Sequence, residues 1–157
     1  MWGAFMKSRI RIATDGSAIG NPGPGGWAAI FACNKQQWTI SGSVSRTTAQ
    51  EMELTAAIEA LRSLPSGTRA ELLSDSDYLI QGMRHLAVRW CNQGWRNSRG
   101  LPLQDRELWQ EVLRLDRIHH VRWRWVKGHN GHLMQTQADA LAYSRARWQW
   151  VEQRRAA

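Results

Sequence analysis

A chain of 157 residues with 43% hydrophobic and 22% charged side chains is long enough to bury a core and too apolar to remain disordered. Its formal charge of +8 argues for a polyanionic partner, of which nucleic acid is the natural one. Two isolated cysteines, Cys33 and Cys91, without a CxxC or Cys/His array, argue against zinc and for a cytoplasmic setting, and no apolar run reaches the length of a signal peptide or a membrane span.

In chain order, Ile10 and Ile12 alternate with Arg11, which predicts a strand that ends on Asp15. Residues 21–26, Asn-Pro-Gly-Pro-Gly-Gly, predict a loop. Residues 27–33 and 38–44 read as two further strands joined by a turn, so the first three strands form an antiparallel meander. The period then changes. Thr48-Ala49-Gln50-Glu51 has the form of a capping box, and Leu54, Ile58 and Leu61 recur at helical spacing until Pro65-Ser66-Gly67. Glu53 falls in the first turn of that helix.

Residues 70–74 form a fourth short strand, followed directly by Asp75 and a helix from Ser76. A helix between strands 1 and 4 favours a parallel pair, with Asp15 and Asp75 side by side where α/β sheets carry their sites. Residues 83–100 read as a basic insertion containing Trp90 and Trp95, of poor periodicity after Trp90. Residues 105–115 resume as a helix with Leu108, Val112 and Leu115 on one face, and residues 121–126 alternate as the fifth strand. A Gly-flanked loop, 127–132, leads to a last helix from about Gln135, with Ala138, Leu141, Ala142 and Trp148 along it and Asp139 in its first turns. The expectation is one α/β domain over 1–157, its core at about 8–150. It is built on a five-stranded mixed sheet, an antiparallel 1-2-3 meander plus parallel strands 4 and 5, flanked by helices.

Asp15, Glu53, Asp75 and Asp139 are the chemically informative residues. Four acids gathered at strand ends and helix starts would repel and raise one another's pKa, a conflict that divalent cations remove. Hard oxygen ligands suit Mg²⁺ or Mn²⁺, and two such ions about 4 Å apart can serve phosphodiester hydrolysis. Each acid taken alone is equally readable as a surface charge, and Glu53 and Asp139 as partners of a helix N-terminus.

Thr14-Asp15-Gly16-Ser17 with Asn21-Pro22-Gly23-Pro24-Gly25-Gly26-Trp27, Met52-Glu53-Leu54 with Ala56-Ala57, Ser74-Asp75-Ser76, the run Trp125-Val126-Lys127-Gly128-His129-Asn130-Gly131-His132, and Ala138-Asp139 occur in uninterrupted order. Together they resemble the type 1 ribonuclease H family in its bacterial form. The resemblance implies a ribonuclease H-like fold. It implies hydrolysis of the RNA strand of RNA–DNA hybrids by two-metal-ion catalysis with Mg²⁺, for which Mn²⁺ can substitute, giving 5′-phosphate and 3′-hydroxyl ends. Carried over by motif, Asp15 bridges both ions, Glu53 and Asp75 hold the ion at the leaving oxygen, and Asp139 holds the ion at the attacking water. His129 matches a mobile histidine that moves protons. Backbone groups at Gly16 and Ala18 with the side chains of Asn21 and Gln50 match ribose-sensing positions, Arg46 and Thr48 a phosphate pocket, and Trp90 and Trp95 a basic protrusion. No obligate protein partner is implied, so a monomer is expected.

The chain departs from the family pattern at Ala49, Asp77, Asp105 and Gln135-Thr136, and Cys91-Asn92-Gln93 replaces a cationic run. None of these touches the four acids. Two other readings are a hybrid-binding module without chemistry and a DNA-directed nuclease of the same architecture.

Overall fold

The computed structural model describes residues 8–128 and 132–157. The elements are β1 (Ile10–Ala18), β2 (Gly23–Cys33), β3 (Gln36–Thr47), α1 (Ala49–Arg62), β4 (Arg69–Ser74), α2 (Asp77–Gln81), a wider π-type turn (Gly82–Leu86), α3 (Ala87–Asn92), α4 (Arg106–Ile118), β5 (His120–Trp125) and α5 (Leu133–Ala156). The sheet has five strands in the order β3-β2-β1-β4-β5. β1–β2 and β2–β3 are antiparallel, and β1–β4 and β4–β5 are parallel. The expected meander with two added parallel strands is present.

Alternation along the central strands divides the core between the two faces of the sheet. Ile10, Ile12, Phe31 and Leu72 pack with Leu54, Ile58 and Leu61 of α1 and with Trp109, Val112 and Leu115 of α4. Ala13, Ile30 and Leu73 face the other way, against Ala138 of α5 with Val126, Met134 and Leu141. The seam between α5 and β2 is close: a Cβ on Gly26 would lie 2.3 Å from the Ala142 carbonyl oxygen. Small residues along α5, namely Ala138, Ala142 and Ala146, are all fully buried and permit that approach.

Three sequence expectations need correction. β1 does not stop at Asp15 but runs to Ala18, paired with β2 as far as Ala18 opposite Gly25. The Gly/Pro stretch is largely strand, since β2 begins at Gly23, with a register shift between Gly23 and Gly25. Close neighbours exclude a side chain at each of these glycines, the Ile19 carbonyl at Gly23, the Thr47 and Met52 side chains at Gly25 and α5 at Gly26, and the irregularity falls at Pro24. Along α5, Ala138, Ala142 and Ala146 are buried while Trp148 is 52% exposed. The segment after Gly82 is also more ordered than its periodicity suggests: helix continues to Asn92, and irregular backbone starts only with the left-handed Gly94 and Trp95. Among the described residues no helix is long and apolar enough to cross a membrane.

Candidate active site

The site sits where two strands part. β1 pairs with β4 only as far as Ala13 opposite Leu73, whereas β1 continues beside β2 past that point. The crevice opens at the C-terminal ends of the parallel strands, the place expected for a ligand in such a sheet. Asp15 lies two residues beyond the last β1–β4 pair, on the face that Ala13 shares with α5. Asp75 follows the last residue of β4.

Glu53 comes from α1, and the start of that helix is fixed by several bonds. Thr48 is its N-cap, with its hydroxyl accepting from Glu51 N at 3.1 Å, while Glu51 Oε2 accepts from Thr48 N at 3.1 Å. Thr47 Oγ1 donates to the same carboxylate at 2.6 Å, and Asn21 Oδ1 accepts from Ala49 N at 2.9 Å. These bonds satisfy amides that a helix start otherwise leaves unpaired. The helix can then press against β1, because Gly16 has no side chain: a Cβ there would lie 2.3 Å from Glu53 N.

The outcome is three carboxylates, Asp15, Glu53 and Asp75, each offering an oxygen within 4.8 Å of the others. Asp15 is 4% exposed and Glu53 9%. Burial pushes the Asp15 carboxyl up to about 11, reinforced by the charge of Glu53 and by the nearby Asp75 and Asp139. Burial likewise raises Glu53 to about 8, helped by Asp75 and opposed by its hydrogen bond with Asp15. Glu53 Oε2 is buried and has no hydrogen-bond partner among the described residues. An all-oxygen donor set, crowded like charges and an unpartnered buried carboxylate oxygen fit a hard divalent cation.

Asp139 arrives on α5. Gln135, one turn earlier and 2% exposed, donates from Nε2 to the Thr14 carbonyl at 3.0 Å and fastens the helix beside the Asp15 strand. Asp139 lies close enough to Asp15 to help raise its carboxyl. It stands at the edge of the three-carboxylate group and not within it. Asp75 is held from its other side: Trp125 Nε1 donates to its carbonyl at 3.2 Å, and a Cβ on Gly128 would lie 2.9 Å from its Oδ2. His129, the expected proton-moving residue, lies outside the described residues.

The residues expected to meet nucleic acid fall into two groups. Gly16, Ala18, Asn21, Arg46, Thr48 and Gln50 all lie on the end of β1, the turn after it, the end of β3 or the start of α1. Arg46 and Gln50 are exposed, and Asn21 and Thr48 also cap α1. Trp90 and Trp95 are on the protrusion, partly buried against the main core, and Trp90 meets the Trp109 ring edge-on with centroids 5.0 Å apart. Beneath them runs a polar chain that no local sequence pattern announces. Trp109 Nε1 donates to the Tyr78 hydroxyl at 3.0 Å, and Tyr78 donates to Asp105 Oδ2 at 2.9 Å. Asp105 caps the approach to α4 with a left-handed φ of 57°, a conformation that Asp and Asn tolerate best. Burial raises Tyr78 to about 12 and also raises Asp105. Asp105 thus fastens α2 to the start of α4, a role visible only once residues 78, 105 and 109 are seen together.

Comparison with known proteins gives concordant matches. The family model described as RNase H matches residues 7–147. A ribonuclease H of Pelobacter propionicus is 44% identical over 135 residues, covering 86% of this chain and 83% of that protein. A ribonuclease H of Legionella pneumophila is 43% identical over 134 residues, covering 85% and 94%. Among solved structures, LC9-RNase H1, a type 1 RNase H with the type 2 active-site motif, superposes with a TM-score of 0.79 at 30% identity, covering 89% of this chain and 72% of that one. LC11-RNase H1, solved in complex with an RNA/DNA hybrid, shares the fold with a TM-score of 0.68 at 20% identity, covering 87% and 95%.

Proposed function

We infer the reaction from one premise: the chain belongs to the ribonuclease H family and is a nuclease acting on the RNA strand of RNA–DNA hybrids. The finer reading is that it works as a single domain, cutting by metal-dependent hydrolysis to leave 5′-phosphate and 3′-hydroxyl ends. The observation that carries it is the meeting of buried Asp15 and Glu53 with half-buried Asp75, and Asp139 close by.

These four side chains would hold two Mg²⁺ ions, or Mn²⁺ in their place, Asp15 shared between them. Such ions, when bound, supply Lewis-acid stabilisation of the phosphodiester and lower the pKa of water. The chain's own part is placement. β1 and β4 present Asp15 and Asp75 from a rigid sheet, and the doubly fastened start of α1 presents Glu53. Burial of the acids keeps bulk water from screening them. His129 would take and return a proton, as the resemblance implies.

Selection of RNA requires contact with 2′-hydroxyls across the wide minor groove. Backbone at Gly16 and Ala18, with Asn21 and Gln50, would make that contact. Asn21 spends its side-chain carbonyl on Ala49 N and keeps its NH₂ as a donor. Arg46 and Thr48 would hold phosphates of the DNA strand, and Trp90 and Trp95 the protrusion side of the duplex. Such contacts position without reading sequence. A monomer acting in the cytoplasm suffices for this reading.

Strand-specific cleavage of matched RNA–DNA, RNA–RNA and DNA–DNA duplexes in Mg²⁺ tests the proposal, with Asp15→Asn as control. RNA-strand cleavage of the hybrid alone, abolished by Asp15→Asn, is expected. Cleavage of the all-DNA duplex would favour a DNA-directed nuclease, and binding of the hybrid without cleavage a non-catalytic module.

A further inference from the structure

The last helix carries more than Asp139. Residues 139, 143, 147, 150 and 154 follow one another at spacings of four, four, three and four, which on an α-helix form a single stripe. In this chain they are Asp139, Tyr143, Arg147, Trp150 and Arg154. The stripe therefore starts at the carboxylate site and runs along α5 for about 22 Å, at about 1.5 Å per residue. Tyr143 is 51% exposed, Arg147 and Arg154 are exposed, and Trp150 is half-buried. Arg154 stacks on the Trp150 ring, Cζ 4.0 Å from its centroid, which leaves the edge of its guanidinium fork available to an anion.

Charge along the helix is segregated. After Asp139 the one acid of α5 is Glu152, and it pairs with Arg155 at 3.3 Å, away from the stripe by helical spacing. Among the described residues no carboxylate pairs with Arg147 or Arg154. The helix end is also fastened. Ser43 Oγ donates to Gln149 Oε1 at 3.0 Å, and Gln153 Nε2 donates to the Ser45 carbonyl at 2.6 Å. These bonds lie at the end of β3 that leads into Arg46. The family model stops at residue 147, so most of this fastened, cationic extension lies beyond it.

We propose that Tyr143, Arg147, Trp150 and Arg154 form a rail that holds the backbone of the hybrid duplex beyond the cleavage site. The proposal rests on the ribonuclease H reading and adds a contact surface to it. The occupant follows from charge and continuity: an anionic duplex seated on Asp139 continues over a stripe that carries two aromatic rings and two arginines with no partner acid among the described residues. At about 3.4 Å per base pair such a stripe spans roughly six base pairs.

The test uses the full chain with Arg147→Gln and Arg154→Gln combined. A charge-matched control, Lys35→Gln with Arg69→Gln, changes exposed residues at the opposite end of the sheet. Binding is read by fluorescence anisotropy in EDTA over a salt series, and cleavage in Mg²⁺, on a hybrid of roughly twenty-four base pairs. The rail variant is expected to bind this hybrid about three- to tenfold more weakly, with a salt slope smaller by about 1 to 2. KM should rise with kcat unchanged, and the control should match the parent. An unchanged salt slope overturns the rail, as does equal weakening in the charge-matched control. Absence of cleavage by the unaltered chain would instead strike the ribonuclease reading, while the anisotropy series would still decide on the rail.

Discussion

Replacing Asp15 by asparagine should make the metal-free protein more stable at neutral and alkaline pH while abolishing cleavage. Three carboxylate oxygens within 4.8 Å repel one another by about 3.5 kcal/mol per fully ionised pair at an effective dielectric near 20. Desolvation adds to that cost. The folded chain responds by retaining protons, with Asp15 pushed up to about 11 and Glu53 to about 8, against ordinary values of 3.8 and 4.5. The sign follows from proton uptake. Above the unfolded pKa the unfolded chain has lost these protons and the folded chain has not, so folding binds protons. Stability present at low pH is therefore lost as pH rises from about 4 towards the raised values, by about 1.4 kcal/mol per pH unit for each retained proton.

Thermal unfolding in EDTA should accordingly give the parent a higher Tm near pH 5 than near pH 8, for the part of the profile that these acids control. Asp15→Asn removes a carboxyl that must take up a proton to fold, so its Tm near pH 8 should exceed the parent's by roughly 4 to 8 °C if the relief is about 2 kcal/mol. Saturating Mg²⁺ should reverse the order, because an ion that binds only the folded state adds stability in proportion to its affinity. Parent and variant should also differ in pH dependence, since protons compete with metal for the same oxygens. If the variant is no more stable than the parent in EDTA near pH 8, the acids do not crowd one another and the physical case for a cation site fails.

Three further outcomes are expected. Asp77 is exposed in the first turn of α2, near the expected path of nucleic acid, and Asp77→Gln should tighten hybrid binding by about two- to threefold at low salt; anisotropy showing equal or weaker affinity refutes it. Tyr78→Phe leaves the fully buried Trp109 without an acceptor for Nε1 and Asp105 without a donor, at a cost of about 1–3 kcal/mol in urea unfolding; a loss under about 0.5 kcal/mol would show the chain to be dispensable. Gly26→Ala places a Cβ 2.3 Å from the Ala142 carbonyl, so α5 must shift, with a loss of about 1–3 kcal/mol and reduced cleavage through Asp139; parent-like Tm and turnover would contradict that.

The features legible in the amino-acid sequence are local ones. Thr48 and Glu51 announce a helix start because a capping box is satisfied within four residues, and it is present as expected. Asp15 and Asp75 can be placed side by side because a helix between two strands favours a parallel pair. The features that escape such a reading depend on distant neighbours. The strand character of residues 23–26 comes from pairing with β1 and β3, and the glycine at 26 from the closeness of α5, more than a hundred positions later. Trp148 resembles a core residue by hydropathy, yet alanines 138, 142 and 146 carry the inward face, and a residue six places beyond Ala142 is turned off it. The bond from Asn21 to Ala49 and the chain from Trp109 through Tyr78 to Asp105 join residues about 30 positions apart, where no periodicity operates.

These long-range bonds explain how the fold tolerates its own site. A buried Glu53 beside a buried Asp15 tends to drive α1 away from β1 in the absence of a cation. Opposing that tendency are the reciprocal Thr48–Glu51 cap, the second clamp from Asn21, and the core contacts of Leu54, Ile58 and Leu61. A cap is typically worth about 1 kcal/mol and a fully buried leucine about 1.5–3 kcal/mol, so together they are commensurate with one crowded charge pair. Asn21 and Thr48, which the resemblance assigns to nucleic-acid contact, are thus also the residues that keep the helix bearing Glu53 seated. Loss of either should lower stability in EDTA as well as affinity for the hybrid, and a variant that lost affinity alone would separate the two roles.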